Sequence, residues 1–220
     1  MIKVENFITD FFLDETIKCI GLQMSGGADS TLVAYLVAKT IVENELPITL
    51  KRLTFGFGNK PDYFQKAEEL QKTITDILSK DVWAEPYTVF YENKSHHSTL
   101  EQLKYLHKNN IIDHTINGRT KNPSLSELGD PNNTRVLERD TPLPIIDSFI
   151  TEPFWNITKD LIVKEYYLHG QEALLYQTCS CDAEYSPGMK FPCGACWWCK
   201  ERQWAFNKIG KLDGNSPSQQ

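Results

Sequence analysis

Apolar positions along the first half of the chain alternate between two periods. Thr16 to Met24 is a short, β-branched, mostly apolar run that stops at Ser25-Gly26-Gly27, the pattern of a buried strand entering a tight loop. From Asp29 onward Leu32, Val33, Leu36, Val37, Thr40 and Ile41 recur at helical spacing, and Pro47 marks the exit into a second strand, Ile48 to Phe55. A second helix is predicted over Asp62 to Ser79, with Phe64, Ala67, Leu70, Ile74, Ile77 and Leu78 on one face. Tyr87, Val89 and Tyr91 then alternate as a third strand, a third helix covers Thr99 to Lys108, and Ile111 to Ile116 reads as a fourth strand. Strands that alternate with helices in this way predict an α/β fold with a parallel sheet covered by helices.

The pattern breaks between Asn117 and Ile145, where Asn, Gly, Pro, Thr and charged residues leave no apolar period. So long an irregular stretch in a compact domain points to a functional loop or local disorder. Thr158 is placed to cap a further helix running to about His169, with Gly170 as its stop signal, and Asn215 to Gln220 reads as a frayed tail. The expected division is a main α/β domain over 1–170 and a small C-terminal segment over 171–220.

Charge narrows the choice of partner. The chain has 29 acidic against 23 basic residues and a formal net charge of -6, which disfavours nucleic acid, whose partners usually present a basic face. No apolar stretch approaches the roughly 20 residues needed to cross a bilayer, and Met1 to Asp14 mixes acids with aromatics, so a cytoplasmic protein without a membrane partner is expected.

Ser25-Gly26-Gly27-Ala28-Asp29-Ser30 carries the strongest chemical signal, because it lies between a predicted strand and a predicted helix. Glycines remove the Cβ atoms that would keep backbone N–H groups from a phosphate, Ser25 and Ser30 add hydroxyl donors, and the helix amino terminus adds a favourable dipole. A Gly-Gly pair alone is common turn punctuation; its position at the strand-helix junction is what favours phosphate binding here. The lysine and longer glycine spacing of a Walker loop are missing. The hexapeptide resembles the SGGxDS signature of PP-loop ATP pyrophosphatases, which implies a Rossmann-like sheet of the adenine nucleotide alpha-hydrolase type. It also implies that the loop holds the leaving pyrophosphate while the α-phosphate is attacked, with Asp29 placing Mg²⁺ or the loop itself.

Five of the six cysteines fall within the last 42 positions. Cys193, Cys196 and Cys199 put three thiols within seven positions, and Cys181 or Cys179 supplies a fourth across Pro187, Gly188 and Pro192. In a cytosolic chain such a cluster points to metal rather than disulfides. Four thiolates suit a closed, structural zinc site, with an iron-sulfur cluster as the rival that spacing alone leaves open. Cys19, in the first strand, reads as a buried apolar thiol, and Trp197 and Trp198 as packing around the metal.

The SGGADS turn, the stretch Glu152-Pro153-Phe154-Trp155-Asn156-Ile157-Thr158-Lys159-Asp160-Leu161-Ile162, the Ser180-Cys181 pair, the CGxCxxC block and Arg202-Gln203-Trp204-Ala205-Phe206 occur in an order that resembles 7-cyano-7-deazaguanine synthase. That resemblance favours Cys181 as the first metal ligand and Lys159, with Asp29, as a catalytic residue. It implies an ATP-dependent carbon-nitrogen ligase of queuosine-type biosynthesis, converting 7-carboxy-7-deazaguanine and ammonia to the nitrile through an adenylated intermediate. ATP, Mg²⁺ and Zn²⁺ are the implied cofactors, and a homodimer the implied assembly. Such chemistry needs positioning and charge stabilisation, not a covalent nucleophile.

Where the family's substrate string stands, this chain has Asn117-Gly118-Arg119-Thr120-Lys121-Asn122-Pro123, followed by Arg135 and Arg139, and the family's motif after the second strand is echoed loosely by Phe57-Gly58-Asn59-Lys60. Arg119 and Lys121 suit phosphate or carboxylate, though exposed basic loop residues are often only solvated. His96 and His97 read as the start of a surface helix and, being adjacent, make a poor chelate. Competing readings are a tRNA-thiolating PP-loop enzyme and a non-catalytic, zinc-stapled nucleotide-binding module.

Overall fold

The computed structural model describes residues 1–57, 62–91, 96–124, 126–128, 148–181 and 192–214. Two short strands, β1 (Ile2–Lys3) and β2 (Phe12–Leu13), pair antiparallel ahead of the main sheet. The sheet is built from β3 (Cys19–Gln23), β4 (Thr49–Phe57), β5 (Trp83–Tyr91), β6 (His114–Asn117) and β7 (Ile150–Thr151), in the order β5-β4-β3-β6-β7 and parallel throughout. The helices are α1 (Ala28–Glu43), α2 (Asp62–Leu78), α3 (His96–Lys108), α4 (Lys159–Leu168), α5 (Glu172–Gln177) and α6 (Trp197–Lys208).

The alternating strand and helix pattern predicted the parallel sheet, and the pairing explains how it is covered. Ile20 and Leu22 of β3 join a large cluster with α1, α2, α4, α5 and α6, whereas Leu53 of β4 joins a smaller one with Leu103 and Leu106 of α3. Residues of opposite parity in a strand point to opposite faces, so α3 covers one face and the other helices the second. Between them Gly21 leaves room for Leu53, whose Cδ1 lies 2.6 Å from where a Cβ would be.

Helix α1 has twelve of its sixteen residues buried, so it is not a one-faced surface helix but a central one enclosed by the sheet, α2 and α4. Strand β5 begins four residues before the predicted Tyr87, because Glu85-Pro86 interrupts its alternation. Pro86 is tolerated since β5 is the sheet edge, and the register with β4 shifts between Lys51 and Leu53.

The C-terminal residues share the main core. Ala205 and Phe206 of α6 and Leu174 and Leu175 of α5 are buried with Leu32 and Tyr166. Arg202, 2% exposed, donates to both carboxylate oxygens of Asp213 at 2.6 and 3.0 Å, to Thr178 Oγ1 at 2.6 Å and to the Leu175 carbonyl at 3.2 Å. Such a fork of donors lets a buried guanidinium satisfy its hydrogen bonds while joining three segments.

No described helix is long and apolar enough to cross a membrane. Gly58 to Lys60, Arg135, Arg139, Pro187, Gly188 and Asn215 to Gln220 lie outside the described residues, as do most of the irregular stretch after Lys121 and the side chains of His96 and His97.

Candidate nucleotide site and four-cysteine cluster

The topology places the glycine turn at the point where strand order reverses. From β3 the chain moves outward through β4 to β5, then returns to β6 on the other side of β3. The crevice beyond the carboxyl ends of two such strands is where doubly wound sheets bind ligands. Ser25 to Ser30 follows β3 and Gly118 to Lys121 follows β6, so both loops open on that crevice.

Local geometry explains the residue choice. Gly26 has φ of +81°, a left-handed conformation that side chains disfavour, and the Lys66 stem packs over it. Gly27 is the N-cap of α1, and its carbonyl accepts the first helical bond from Thr31 N–H at 3.1 Å. The amides of Ser25, Gly27 and Ala28 make long contacts with Ser30 Oγ at 3.3 Å, Ser25 Oγ at 3.4 Å and Ser180 Oγ at 3.5 Å. Those of Gly26, Asp29 and Ser30 have no hydrogen-bond partner among the described residues. A turn with free or weakly held N–H groups at a helix amino terminus is an anion receptor.

Asp29 sits in the first turn of α1 and is held from three sides. Its Oδ2 is 3.0 Å from Lys159 Nζ and accepts from Thr120 Oγ1 at 3.3 Å, while Oδ1 is buried without a partner among the described residues. Gly118 lies directly against the backbone of the turn: a Cβ there would fall 2.6 Å from the Asp29 carbonyl oxygen and 2.8 Å from Ser30 Cα. Tyr166 of α4, fully buried, donates its hydroxyl to the Ala28 carbonyl at 2.8 Å. Burial, with the Asp29 charge adding to it, pushes the Tyr166 phenol well above its ordinary value, so it remains a donor.

Lys159 is 2% exposed, not a solvated first-turn lysine, and it also meets Glu201 Oε2 at 2.9 Å. Burial works to lower its pKa, yet the Asp29 and Glu201 carboxylates outweigh burial and hold it above the ordinary lysine value. Lys159 is therefore an ammonium flanked by two acids. Arg119 pairs with Glu152 at 3.5 Å, and Glu152 also accepts from Asn117 Nδ2 at 3.1 Å, so Arg119 is tied to the end of β7. Lys121 is exposed, and its N–H bonds the Ile157 carbonyl at 2.8 Å beside the start of α4.

All six cysteines are free thiols. The sulfurs of Cys181, Cys193, Cys196 and Cys199 lie within 4.8 Å of one another, with the Cys193–Cys199 and Cys181–Cys196 pairs at 3.9 Å. Four sulfurs about 2.3 Å from a central zinc form a tetrahedron with edges of about 3.8 Å, so this donor set fits a single tetrahedral ion. In a four-iron cluster each thiolate binds its own corner, which spreads the sulfurs wider. The Cys196 and Cys193 amides point to Cys193 Sγ at 3.3 Å and Cys181 Sγ at 3.5 Å, donors that favour thiolate. Hydrogen bonding of the Cys199 thiol to Cys181 and Cys196, then burial, pushes it far above its usual value, an effect that a bound cation would reverse.

Cys179 stands apart from the four, its N–H donating to the Gly26 carbonyl at 2.9 Å and its thiol pushed up by burial. Cys19 is half-buried instead of fully enclosed, with burial again raising its pKa. Trp197 is buried and Trp198 half-buried beside the cluster. Glu201, Thr120, Gly118, Tyr166 and Ser180 went unassigned as site residues by sequence reasoning. Of these only Gly118, in an Asn-Gly-Arg turn directly after a strand, carried a local signal.

Fold and site together define a doubly wound α/β protein with an anion-receptive turn at its switch point and a four-cysteine cluster close behind it. No protein-family model and no curated protein matches the sequence. Among solved structures, the U34-tRNA thiolase NcsA from Methanococcus maripaludis, with its [4Fe-4S] cluster, is similar at 12% identity and a TM-score of 0.41, over 92% of this chain and 67% of that one. NAD+ synthetase from Burkholderia pseudomallei is similar at 13% identity and a TM-score of 0.32, over 88% and 76%. A likeness this remote says nothing of the reaction.

Proposed function

We propose that the chain is an ATP-consuming PP-loop enzyme that splits ATP between its α- and β-phosphates and adenylates a small carboxylate. The observation that carries this reading is the Ser25 to Ser30 turn, whose Gly26, Asp29 and Ser30 amides are unpaired among the described residues at the switch point. The turn holds the β- and γ-phosphates; the acceptor oxygen attacks the α-phosphorus, and the bond to the bridging oxygen breaks as pyrophosphate leaves into the amides. Lys159 neutralises charge at Asp29. Mg²⁺ fits beside Asp29 Oδ1, which is buried and unpartnered among the described residues, and would offset the phosphate charge.

The resemblance in motif order extends the proposal to the acceptor, 7-carboxy-7-deazaguanine. Ammonia displaces AMP from the adenylate to give the amide, and a second ATP drives its dehydration to 7-cyano-7-deazaguanine. Residues 1–170 then form the ATP-binding part, and Cys181, Cys193, Cys196 and Cys199 hold zinc in 171–220, a site with four protein ligands and no open position. The acidic net charge supports a small-molecule acceptor over RNA.

The test is incubation with Mg²⁺-ATP, ammonia and 7-carboxy-7-deazaguanine, followed by mass spectrometry. AMP, pyrophosphate and the nitrile are expected, and Asp29→Asn should remove AMP release while the far-UV spectrum stays unchanged. Thiolated RNA from a parallel reaction with a sulfur donor would replace the acceptor assignment, and no AMP from any acceptor would overturn the enzyme reading.

A further inference from the structure

Two paths along the chain run from the four cysteines to the phosphate turn. The first is the segment leading into Cys181: Cys179 N–H donates to the Gly26 carbonyl at 2.9 Å, and Ser180 Oγ accepts from Ala28 N–H at 3.5 Å. The second is α6. Its first turn carries Cys199, and two residues on stands Glu201, fully buried, with Oε2 2.9 Å from Lys159 Nζ, which in turn is 3.0 Å from Asp29 Oδ2.

Charge counting shows that Glu201 is not there simply to neutralise a lysine. Lys159 already has Asp29, so a second buried acid leaves one negative charge in excess, in a place where Glu201 is 0% and Lys159 2% exposed. Neither Glu201 carboxylate oxygen makes a hydrogen bond among the described residues, so its hold on Lys159 is the ion pair at Oε2. Burying an extra carboxylate opposes folding, so its contribution is to geometry. Held between two acids, the Lys159 ammonium has one place to sit. Asp29 Oδ2 is thereby occupied, together with Thr120, and the first turn of α1 is fixed in orientation.

We propose that Glu201 is a positioning residue for the phosphate turn, holding Lys159 against Asp29 so that the folded four-cysteine centre sets the geometry of the nucleotide site. The inference rests on the ATP reading of that turn and goes beyond it: the cysteine centre is part of the binding machinery as well as a staple. Glu201 acts through Lys159 and touches no substrate.

The experiment titrates the zinc-loaded protein with Mg²⁺ and α,β-methylene-ATP by calorimetry, in the wild type, Glu201→Gln and Glu201→Asp, with zinc content and melting temperature measured on each. The Gln variant is expected to keep its zinc and melt near the wild type but to bind the nucleotide roughly tenfold more weakly. The Asp variant, which retains the charge on a shorter arm, should recover part of the loss. Wild-type affinity in Glu201→Gln, or an affinity that falls only in step with zinc and melting temperature, overturns the positioning role. So does loss of folding in both variants, since Glu201 is then a structural group. No nucleotide binding by the wild type would instead overturn the ATP reading on which the inference rests.

Discussion

The phosphate turn and the four-cysteine cluster meet at Ser180, whose hydroxyl faces the Ala28 amide and whose carbonyl accepts from the Cys199 thiol, yet they are built on opposite principles. The turn is made of backbone, with the Gly26, Asp29 and Ser30 amides unpaired among the described residues and Gly118 pressed against it from below. The cluster is made of side chains, four sulfurs within 4.8 Å that already crowd one another. On the proposed reading the first receives an anion through amides of which those of Gly26 and Ser30 lie in buried residues. The other brings together four thiols that could hold a single cation. On the proposed reading the turn serves a substrate that comes and goes, and the cluster a resident ion.

The sharpest break of this comparison is Cys196→Ser. It removes one of four ligands, and loss of a structural metal should cost on the order of 5 kcal/mol, roughly 10–15 °C in Tm. Melting followed alongside zinc content checks it; a variant that loses zinc but melts like the wild type would make the cluster dispensable to the fold. Gly118→Ala is aimed at the turn alone. Its methyl would meet the Asp29 carbonyl oxygen at 2.6 Å, a backbone atom that cannot swing aside, so about 1–3 kcal/mol of overpacking is expected in urea unfolding. Zinc content should be unchanged while ATP affinity falls; unaltered affinity would show that the turn tolerates displacement.

The smallest effect sharpens the comparison at the far end of α6. Lys208 pairs with Glu127 at 2.8 Å, and that pair, with the Ser124 hydroxyl and amide, lowers the Glu127 carboxyl to about 2. A depressed folded-state pKa stabilises above the ordinary carboxylate value near 4.5, and the contribution is lost as pH falls toward 2. Both side chains are about two-fifths exposed, so screening holds the effect to about 0.5 kcal/mol. Glu127→Gln should therefore lie just below the wild type in urea at pH 7 and coincide with it near pH 2. A larger gap would mean that α6 is held by this end as much as by its cysteines.

What could be read in sequence divides along the same line. The four longer strands, the first three helices and α4 followed from apolar period and from stop signals such as Gly170, whose φ is +64°. β1, β2 and β7 have two residues each, too short for a period to show, and α6 was masked because its cysteines and tryptophans read as a metal knuckle instead of a helix. Cys181 could be preferred to Cys179 by motif alone, and the structure sets their roles apart: one thiol joins the cluster, the other's amide meets Gly26.

By itself the amino-acid order determined the α/β alternation, the glycine turn after β3 and the candidate sulfur ligands, because each of these depends on neighbours in the chain: side-chain period, φ above zero, spacing of thiols. Tertiary structure decided that Lys159 is buried between Asp29 and Glu201, that Gly118 underlies the turn, and that the cysteine segment touches it. Those contacts join residues far apart in the chain, Lys159 to Asp29 and Glu201, and Cys179 to Gly26. A carboxylate's surroundings, not its identity, decide whether it is solvated or holds a neighbour in place.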